Sequence, residues 1–376
     1  MKSIVNSKVI KDILDKNFDF DEIAKDFPII YELKNIEQNP KYHEEGNVYI
    51  HTKRVCQQVI NLPQWEKLNC VDKVTLYLAA FFHDIGKLIC TKTEDGEIIS
   101  PKHGVKGAKL FREFFYKYEN ISFSLREEIA ALIKYHGLPL FFMDRNNMDY
   151  DLIKASEVVN MKLLYLIAKA DLLGRECDDK EELFYNIECF KEYTNELACF
   201  YSSKKFSNKY SRFLYLNKQN IWHGDNVFDI TTFQVTIMVG FPLAGKDTYI
   251  KNNLKSIPII SLDNIREELR ISPKKNSSKV AAIAKERVKN LLKEKKPFVW
   301  NATNLSKDIR KNLCNVFSAY GARVKFVYIE VPYKELLLRN KIRNRTVPEK
   351  VINNMISKFD MIEKWEGYEV EYIVID

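Results

Sequence analysis

The stretch AAFFHDIGKLIC, residues 79–90, sets a His and an Asp side by side inside an otherwise apolar run. An imidazole and a carboxylate are costly to bury without strong partners, so His83 and Asp84 call for one. The surrounding segments DKVTLYLAAFFHDIGK, GVKGAKLFREFFYKY, LREEIAALIKYHG and NMKLLYLIAKADLLGRE repeat apolar residues at three- and four-residue steps. That is the period of helices with a buried face, and few segments before residue 200 alternate with period two. Residues 1–200 are therefore expected to form an all-α domain. Its opening, MKSIVNSKVIKDILDKNFDF, keeps the same spacing and reads as an amphipathic helix, not a signal peptide.

Five of the six histidines fall between residues 43 and 136. His51, His83, Asp84, His103, His136 and Asp171 supply imidazoles and carboxylates, the natural ligands of first-row transition metals. A metal is the partner that makes a buried His-Asp pair tolerable. Neighbours on a helix point about 100° apart, so His83 and Asp84 are not expected to chelate as an i, i+4 pair would. They can serve one ion together while Asp84 reaches a second. Two ions bridged by a carboxylate would clamp a phosphate and activate water. Taken alone, a histidine on a helix is more often a satisfied core or surface residue than a ligand, and for His43 the two readings stand level.

The order His51, His83-Asp84, Asp171 resembles the H…HD…D signature of the HD phosphohydrolase superfamily. HEEGNVYIHTKRV, residues 43–55, also resembles the opening of the HD domain in some bacterial tRNA nucleotidyltransferases. The likeness covers roughly residues 40–200. It implies that His51, His83, Asp84 and Asp171 hold one ion and that Asp84, His103 and His136 hold the other. One or two transition metals such as Mn, Zn, Co, Ni or Fe would serve. Lys87 follows Asp84 by three residues and Arg175 follows Asp171 by four, spacings that suit cations holding substrate phosphate or plain surface charges.

Residues 201–230, YSSKKFSNKYSRFLYLNKQNIWHGDNVFDI, lose the helical period while Ser, Asn, Lys and Gly rise. They read as a connector whose aromatics pack on a neighbouring domain. From residue 231 to 376 the pattern changes again. FQVTIMVG, PIISLD, KPFVWNAT and VKFVYIEV are short strand candidates, separated by helical segments such as SKVAAIAKERVKNLLKEK. That alternation predicts an α/β domain with a parallel sheet.

Within it, VTIMVGFPLAGKDTYIKNNL, residues 235–254, reads strand, loop, helix. Gly240, Gly245 and Lys246 have the G-x-x-x-x-G-K spacing of a P-loop. Its backbone N–H groups and helix N-terminus suit a polyphosphate, and its lysine reaches the outer phosphates. Asp247 stands where Ser or Thr usually binds Mg²⁺; either it or Thr248 would complete the metal shell. In IISLDNIREEL, Asp263 is a candidate general base and Arg266 a candidate clamp on acceptor phosphate. Alternatively, Asp263 caps the following helix and Arg266 is exposed. In VPYKELLLRNKIRNRTVP, Arg339 and Arg343 lie four apart on one helical face, as lid residues or as solvated charges.

Taken together, the P-loop, LDNIR, NATNL and RNKIRNR are similar to the polynucleotide 5′-kinase family of the phage end-healing enzyme. The resemblance implies that Lys246 and Arg343 contact the donor phosphates of ATP or another NTP bound with Mg²⁺. Asp263 would deprotonate a 5′-OH, Arg266 would hold the neighbouring phosphate, and Arg339 would assist. Asn301, Thr303 and Asn304 would line the acceptor side, with Ala302 replacing an acidic residue of the phage pattern.

Composition is compatible with this. Hydrophobic residues at 46% and aromatics at 12% are too plentiful for a disordered chain, and no run approaches about 18 consecutive apolar residues. The seven cysteines include no C-x-x-C pair and read as reduced cytosolic thiols, which suggests a cytoplasmic protein with no membrane partner. Residues 1–230 carry 32 Lys and Arg against 35 Asp and Glu, net −3, whereas residues 231–376 carry 27 against 16, net +11. A basic second part suits a polyanionic partner, although a cluster such as LLKEKKP could be a solvated helix end.

The combination looks like the bifunctional bacterial HD–polynucleotide kinase family. Membership would imply kinase action on 5′-OH ends and removal of 2′,3′-cyclic, 2′- or 3′-phosphate from RNA or DNA ends. No nucleotidyltransferase-type catalytic lysine motif is visible, so sealing would fall to a separate ligase. Two other readings remain: a nucleotide or nucleoside kinase fused to a nucleotide phosphohydrolase, and a nucleotide-sensing regulatory protein.

Overall fold

The structure, a computed structural model, describes residues 8–118, 121–217, 220–270, 277–342 and 346–375. It divides into two compact units, Met1–Lys205 and Phe206–Asp376. Among the described residues no helix is long and apolar enough to cross a membrane.

The first unit is built on α1 (Val48–Asn61), α2 (Cys70–Phe82), α3 (His103–Tyr118), α4 (Phe123–Tyr135) and α5 (Met161–Gly174). Side chains satisfy N–H groups that helix starts leave unpaired. Asn47 accepts from Ile50, Asn69 from Asp72, and Asn160 from Lys162 and Leu163. Every residue of α2 from Val74 to Phe82 is buried, as expected of a helix that is apolar all round. It packs against α1, α4 and α5. Phe82 on α2 meets Phe111 and Phe115 of α3 edge-on. Gly174 lets α5 lie against α1, because a Cβ there would sit 2.8 Å from Val55 Cγ2.

The unit is not wholly helical. Lys92–Glu94 and Glu97–Ile99 pair antiparallel, turned by Asp95 and Gly96 with φ of 51° and 83°. Asp-Gly is a favoured two-residue hairpin turn, and helical periodicity on both sides hides so short a ribbon.

The boundary at Phe206 puts most of the expected connector into the second unit. The segment includes a helix, Lys209–Leu216, whose Tyr210 and Phe213 rings lie near Tyr368. The main sheet comprises β1 (Phe233–Val239), β2 (Ile259–Ser261), β3 (Phe298–Asn301), β4 (Ala322–Glu330) and β5 (Glu369–Val374). Helices α6 (Lys246–Asn253), α7 (Leu262–Glu268), α8 (Ser277–Lys293), α9 (Lys307–Ala319), α10 (Tyr333–Ile342) and α11 (Glu349–Ser357) alternate with them. The order is β2-β3-β1-β4-β5 and every pairing is parallel. Central β1 and β4 are almost continuously buried, the pattern of strands covered on both faces. Strand β5 was not among the sequence candidates. Because all strands run the same way, the residues after β1, β2 and β3 share one edge of the sheet, where ligands bind in such folds.

Candidate active sites

Helix α2 stops at Phe82, with His83 as its C-cap. Asp84 leaves helical geometry at φ −103°, ψ 6°, and Ile85–Ile89 form a 3₁₀ turn. The end of the helix resolves the 100° problem: the chain bends between the two side chains, and His83 Nε2 lies 3.3 Å from Asp84 Oδ2. Gly86 seats this turn on α3, since a Cβ there would fall 2.1 Å from His103 O and 2.5 Å from Gly107 N.

Two clusters result, the first buried and the second with His103 half-buried. In the first, His51 Nε2 is 3.0 Å from Asp171 Oδ1 and 3.2 Å from His83 Nε2. In the second, His103 Nε2 is 3.1 Å from His136 Nε2 and 3.5 Å from Asp84 Oδ1. The ligand atoms of each triad, His51/His83/Asp171 and Asp84/His103/His136, lie within 4.8 Å of one another. Asp84 spans both, its Oδ2 lying 3.8 Å from His51 Nε2.

Proton accounting shows what the second triad fits. His103 Nδ1–H donates to Ser100 O at 3.0 Å and His136 Nδ1–H to Ile133 O at 2.8 Å. A carbonyl only accepts, so in each neutral ring Nε2 is a bare lone pair. Burial lowers His103, and burial together with the repulsion that a protonated His103 or His83 would exert pushes His136 down to about 3, which favours neutral rings in this triad. Two lone pairs therefore face each other at 3.1 Å beside Asp84 Oδ1, itself buried without a hydrogen-bond partner. Three acceptors converge with no proton to share. A divalent cation fits that arrangement.

In the second unit Gly240 (φ 150°) follows β1, and Gly245 (φ 101°) immediately precedes α6. A Cβ on Gly240 would lie 2.6 Å from Ile329 O, so the loop needs glycine there. Lys246 Nζ donates to Gly240 O at 3.0 Å and Phe241 O at 2.8 Å, folding over the loop. Arg339 Nη1 donates to Leu243 O at 3.3 Å, and its Nε to Glu335 at 2.7 Å. A cleft of about 590 Å³ opens here, lined in part by Lys246, Asp247, Thr248 and Arg339. Asp247 and Thr248 are exposed, and Asn301 donates to Asp247 Oδ1 at 2.7 Å.

Residues 48–159 match the HD domain family, and residues 235–362 match the AAA domain family. The chain carries an HD domain and a P-loop kinase-like domain. Among curated proteins, an L-seryl-tRNA(Sec) kinase of Methanococcus maripaludis is 26% identical over 147 residues, 37% of this chain and 58% of the relative. The chain thus spans a little over half of that relative's length. A solved structure described as a kinase from Chloroflexus aurantiacus covers 39% of this chain and 86% of its own at 16% identity and TM-score 0.32, too distant to bear on function.

In the first unit the expected ligands His51, His83, Asp84, His103, His136 and Asp171 are brought together in the two triads. The two cations are tied to those ligands. Lys87 Nζ lies 2.7 Å from Asp84 Oδ2 and donates to Gln38 Oε1 at 2.6 Å. Arg175 grips Asp171 with two bonds of 2.5 and 3.1 Å. Burial would raise both aspartates, but Lys87 and His83 hold Asp84, and Arg175 and His51 hold Asp171, well below the usual carboxylate range. Burial opposes protonation of His83, yet Asp84 and Asp171 outweigh it and raise its pKa, so its Nε2 sits where positive charge is favoured. Sequence reasoning missed Glu45 and Gln38, both buried. Glu45 Oε1 lies 2.8 Å from Nδ1 of both His43 and His51. Burial lowers His43 to about 4 against the opposing pull of Glu45. No local pattern marks a glutamate six residues before a ligand.

In the kinase-like domain Asp263 is exposed in the first turn of α7, at the carboxyl end of β2; Ser261, not Asp263, caps that helix through Asn264 N–H. Arg266 is half-buried on α7. Asn301 ends β3, next to β1, and Thr303 meets the P-loop through its carbonyl, which accepts Gly240 N–H at 3.1 Å. Asn304 differs from expectation. It is buried, its Nδ2 donates to Met238 O at 2.7 Å, and its Oδ1 accepts from Trp300 Nε1 at 3.3 Å. Its amide ties β3 to β1 instead of facing an acceptor. Arg343 lies outside the described residues.

Proposed function

We propose that the protein heals nucleic-acid ends. Its HD domain would remove 2′,3′-cyclic, 2′- or 3′-phosphate from RNA or DNA, and its P-loop domain would phosphorylate a 5′-OH. The observation that carries the hydrolase half is the proton-free meeting of His103, His136 and Asp84 beside a second triad sharing Asp84. Divalent ions bound there would polarise a phosphate and lower the pKa of a bound water. The chain's own residues would bind and orient: Asp84 would bridge both centres, while Lys87 and Arg175 hold the carboxylates in place and add positive charge beside the phosphate.

For the kinase half, Lys246 and Arg339 at the P-loop suit the donor phosphates, with Mg²⁺ served by Asp247 or Thr248. Asp263, on the same sheet edge, suits the general base, and Arg266 and Asn301 the acceptor. The net +11 of residues 231–376 favours a polyanionic acceptor over a free nucleoside. The curated relative named above is a kinase acting on a tRNA-borne seryl group, which also favours an RNA-linked hydroxyl.

The test is one incubation with an oligonucleotide carrying 5′-OH and 2′,3′-cyclic phosphate ends, ATP, Mg²⁺ and Mn²⁺ or Ni²⁺. Asp263→Ala should lose only 5′-phosphorylation, and Asp84→Ala only the cyclic-phosphate reaction. Loss of both reactions in either variant would contradict two independent centres. Mononucleosides phosphorylated as well as oligonucleotides would replace end healing with free-nucleotide chemistry.

A further inference from the structure

We propose that Glu45 is a positioning residue for His51, selecting the tautomer that can ligate and thereby setting ion affinity at the His51/His83/Asp171 centre; this rests on the hydrolase reading above. His83, His103 and His136 share one device. Each donates Nδ1–H to the carbonyl three residues earlier, Ala80, Ser100 or Ile133, at 2.7–3.0 Å. A carbonyl cannot donate back, so Nε2 is left for a cation.

His51 lacks that device. It sits in the first turn of α1, where Asn47 O already accepts His51 N–H and Val48 O accepts the Thr52 hydroxyl. Its Nδ1 is fully buried with no aligned hydrogen bond, and Glu45 Oε1 lies 2.8 Å away, off the N–H line. A neutral imidazole holds one proton. If that proton sits on Nε2, it points at Asp171 Oδ1, 3.0 Å away, and the ring cannot ligate. If it sits on Nδ1, Glu45 is the group in place to accept it.

Glu45 is built to stay put. Its side chain is fully buried, and Oε2 accepts Glu176 N–H at 2.9 Å. Glu176 follows Arg175, which clamps Asp171. One turn of chain therefore fixes a ligand of this centre and the acceptor behind another. A carboxylate behind a ligating imidazole also raises its basicity, and losing such a partner typically costs 10–100-fold in affinity.

The test uses the full chain and Zn²⁺, with a competing chelator to resolve two binding events. Glu45→Gln keeps an oxygen for Glu176 N–H but loses the charge that draws the His51 proton. It should weaken one Zn²⁺ site about 10–100-fold, leave the other unchanged and preserve kinase activity. Nitrogen NMR of the imidazoles should show His51 as the Nδ1–H tautomer in the Zn²⁺-loaded wild type, and a changed signal in Glu45→Gln. Unchanged affinity at both sites, or equal loss at both, would overturn the proposal, because Glu45 would then only tie residues 43–45 to Glu176. A wild type that binds no Zn²⁺ would instead sink the hydrolase reading itself.

Discussion

Gly86→Ala tests how backbone packing controls one candidate metal centre. The new Cβ would lie 2.1 Å from His103 O, and contacts below 3.0 Å are essentially never seen, so the turn and the start of α3 must part by about 0.9 Å. His103 opens α3 and carries the second triad's Nε2, 3.1 Å from His136 and 3.5 Å from Asp84. Metal–ligand distances tolerate only about ±0.2 Å, so the shift exceeds the tolerance several-fold. His51 and Asp171 lie on α1 and α5, and His83 ends α2 just before the turn that carries Gly86. Overpacking should also cost about 1–3 kcal/mol of stability. Metal analysis after loading with Mn²⁺ and desalting should fall from two ions per chain to one, and cyclic-phosphate hydrolysis should drop by about 100-fold or more, with 5′-phosphorylation intact. Two tightly held ions and undiminished hydrolysis in Gly86→Ala would refute the idea that this glycine sets the geometry of the second centre.

Other outcomes follow from the same geometry. Returning Mn²⁺ at a hundredfold excess over its Kd to chelator-treated protein should stabilise the HD domain by about 2.7 kcal/mol, read as a shift in denaturant midpoint; no shift would mean that the ion does not bind the native state. Arg310 is fully buried, paired with Glu366 at 2.7 and 2.9 Å and bonded to the carbonyls of Asn304 and Leu305. Arg310→Ala should cost about 3–5 kcal/mol by leaving Glu366 buried and unpaired, seen in unfolding of the kinase-like domain. Lys246→Ala should abolish ATP-dependent phosphorylation while the HD reaction proceeds at wild-type rate, both followed on one end-labelled oligonucleotide.

Helix and strand were legible because their signals are local. Apolar residues three or four apart announced the helices of the first unit, and short β-branched runs announced β1 to β4. The P-loop glycines were equally legible, since a positive φ at Gly240 and Gly245 requires a residue without a side chain. Strand β5, with partly exposed faces at the sheet edge, lacked the buried apolar run that marks β1 and β4. The Asp95-Gly96 hairpin was too short to break the helical period around it.

The sequence by itself determined which chemistries were available: imidazoles and carboxylates in one half, a phosphate loop in the other, and a charge difference between them. Only the tertiary structure decided how those groups are protonated and held. Gln38 meets Lys87 from 49 residues away, and Glu45 meets the Glu176 amide from 131 away. Whether an imidazole offers a lone pair or a proton depends on the acceptor behind it, and folding supplies that acceptor from sequence positions that no local pattern connects.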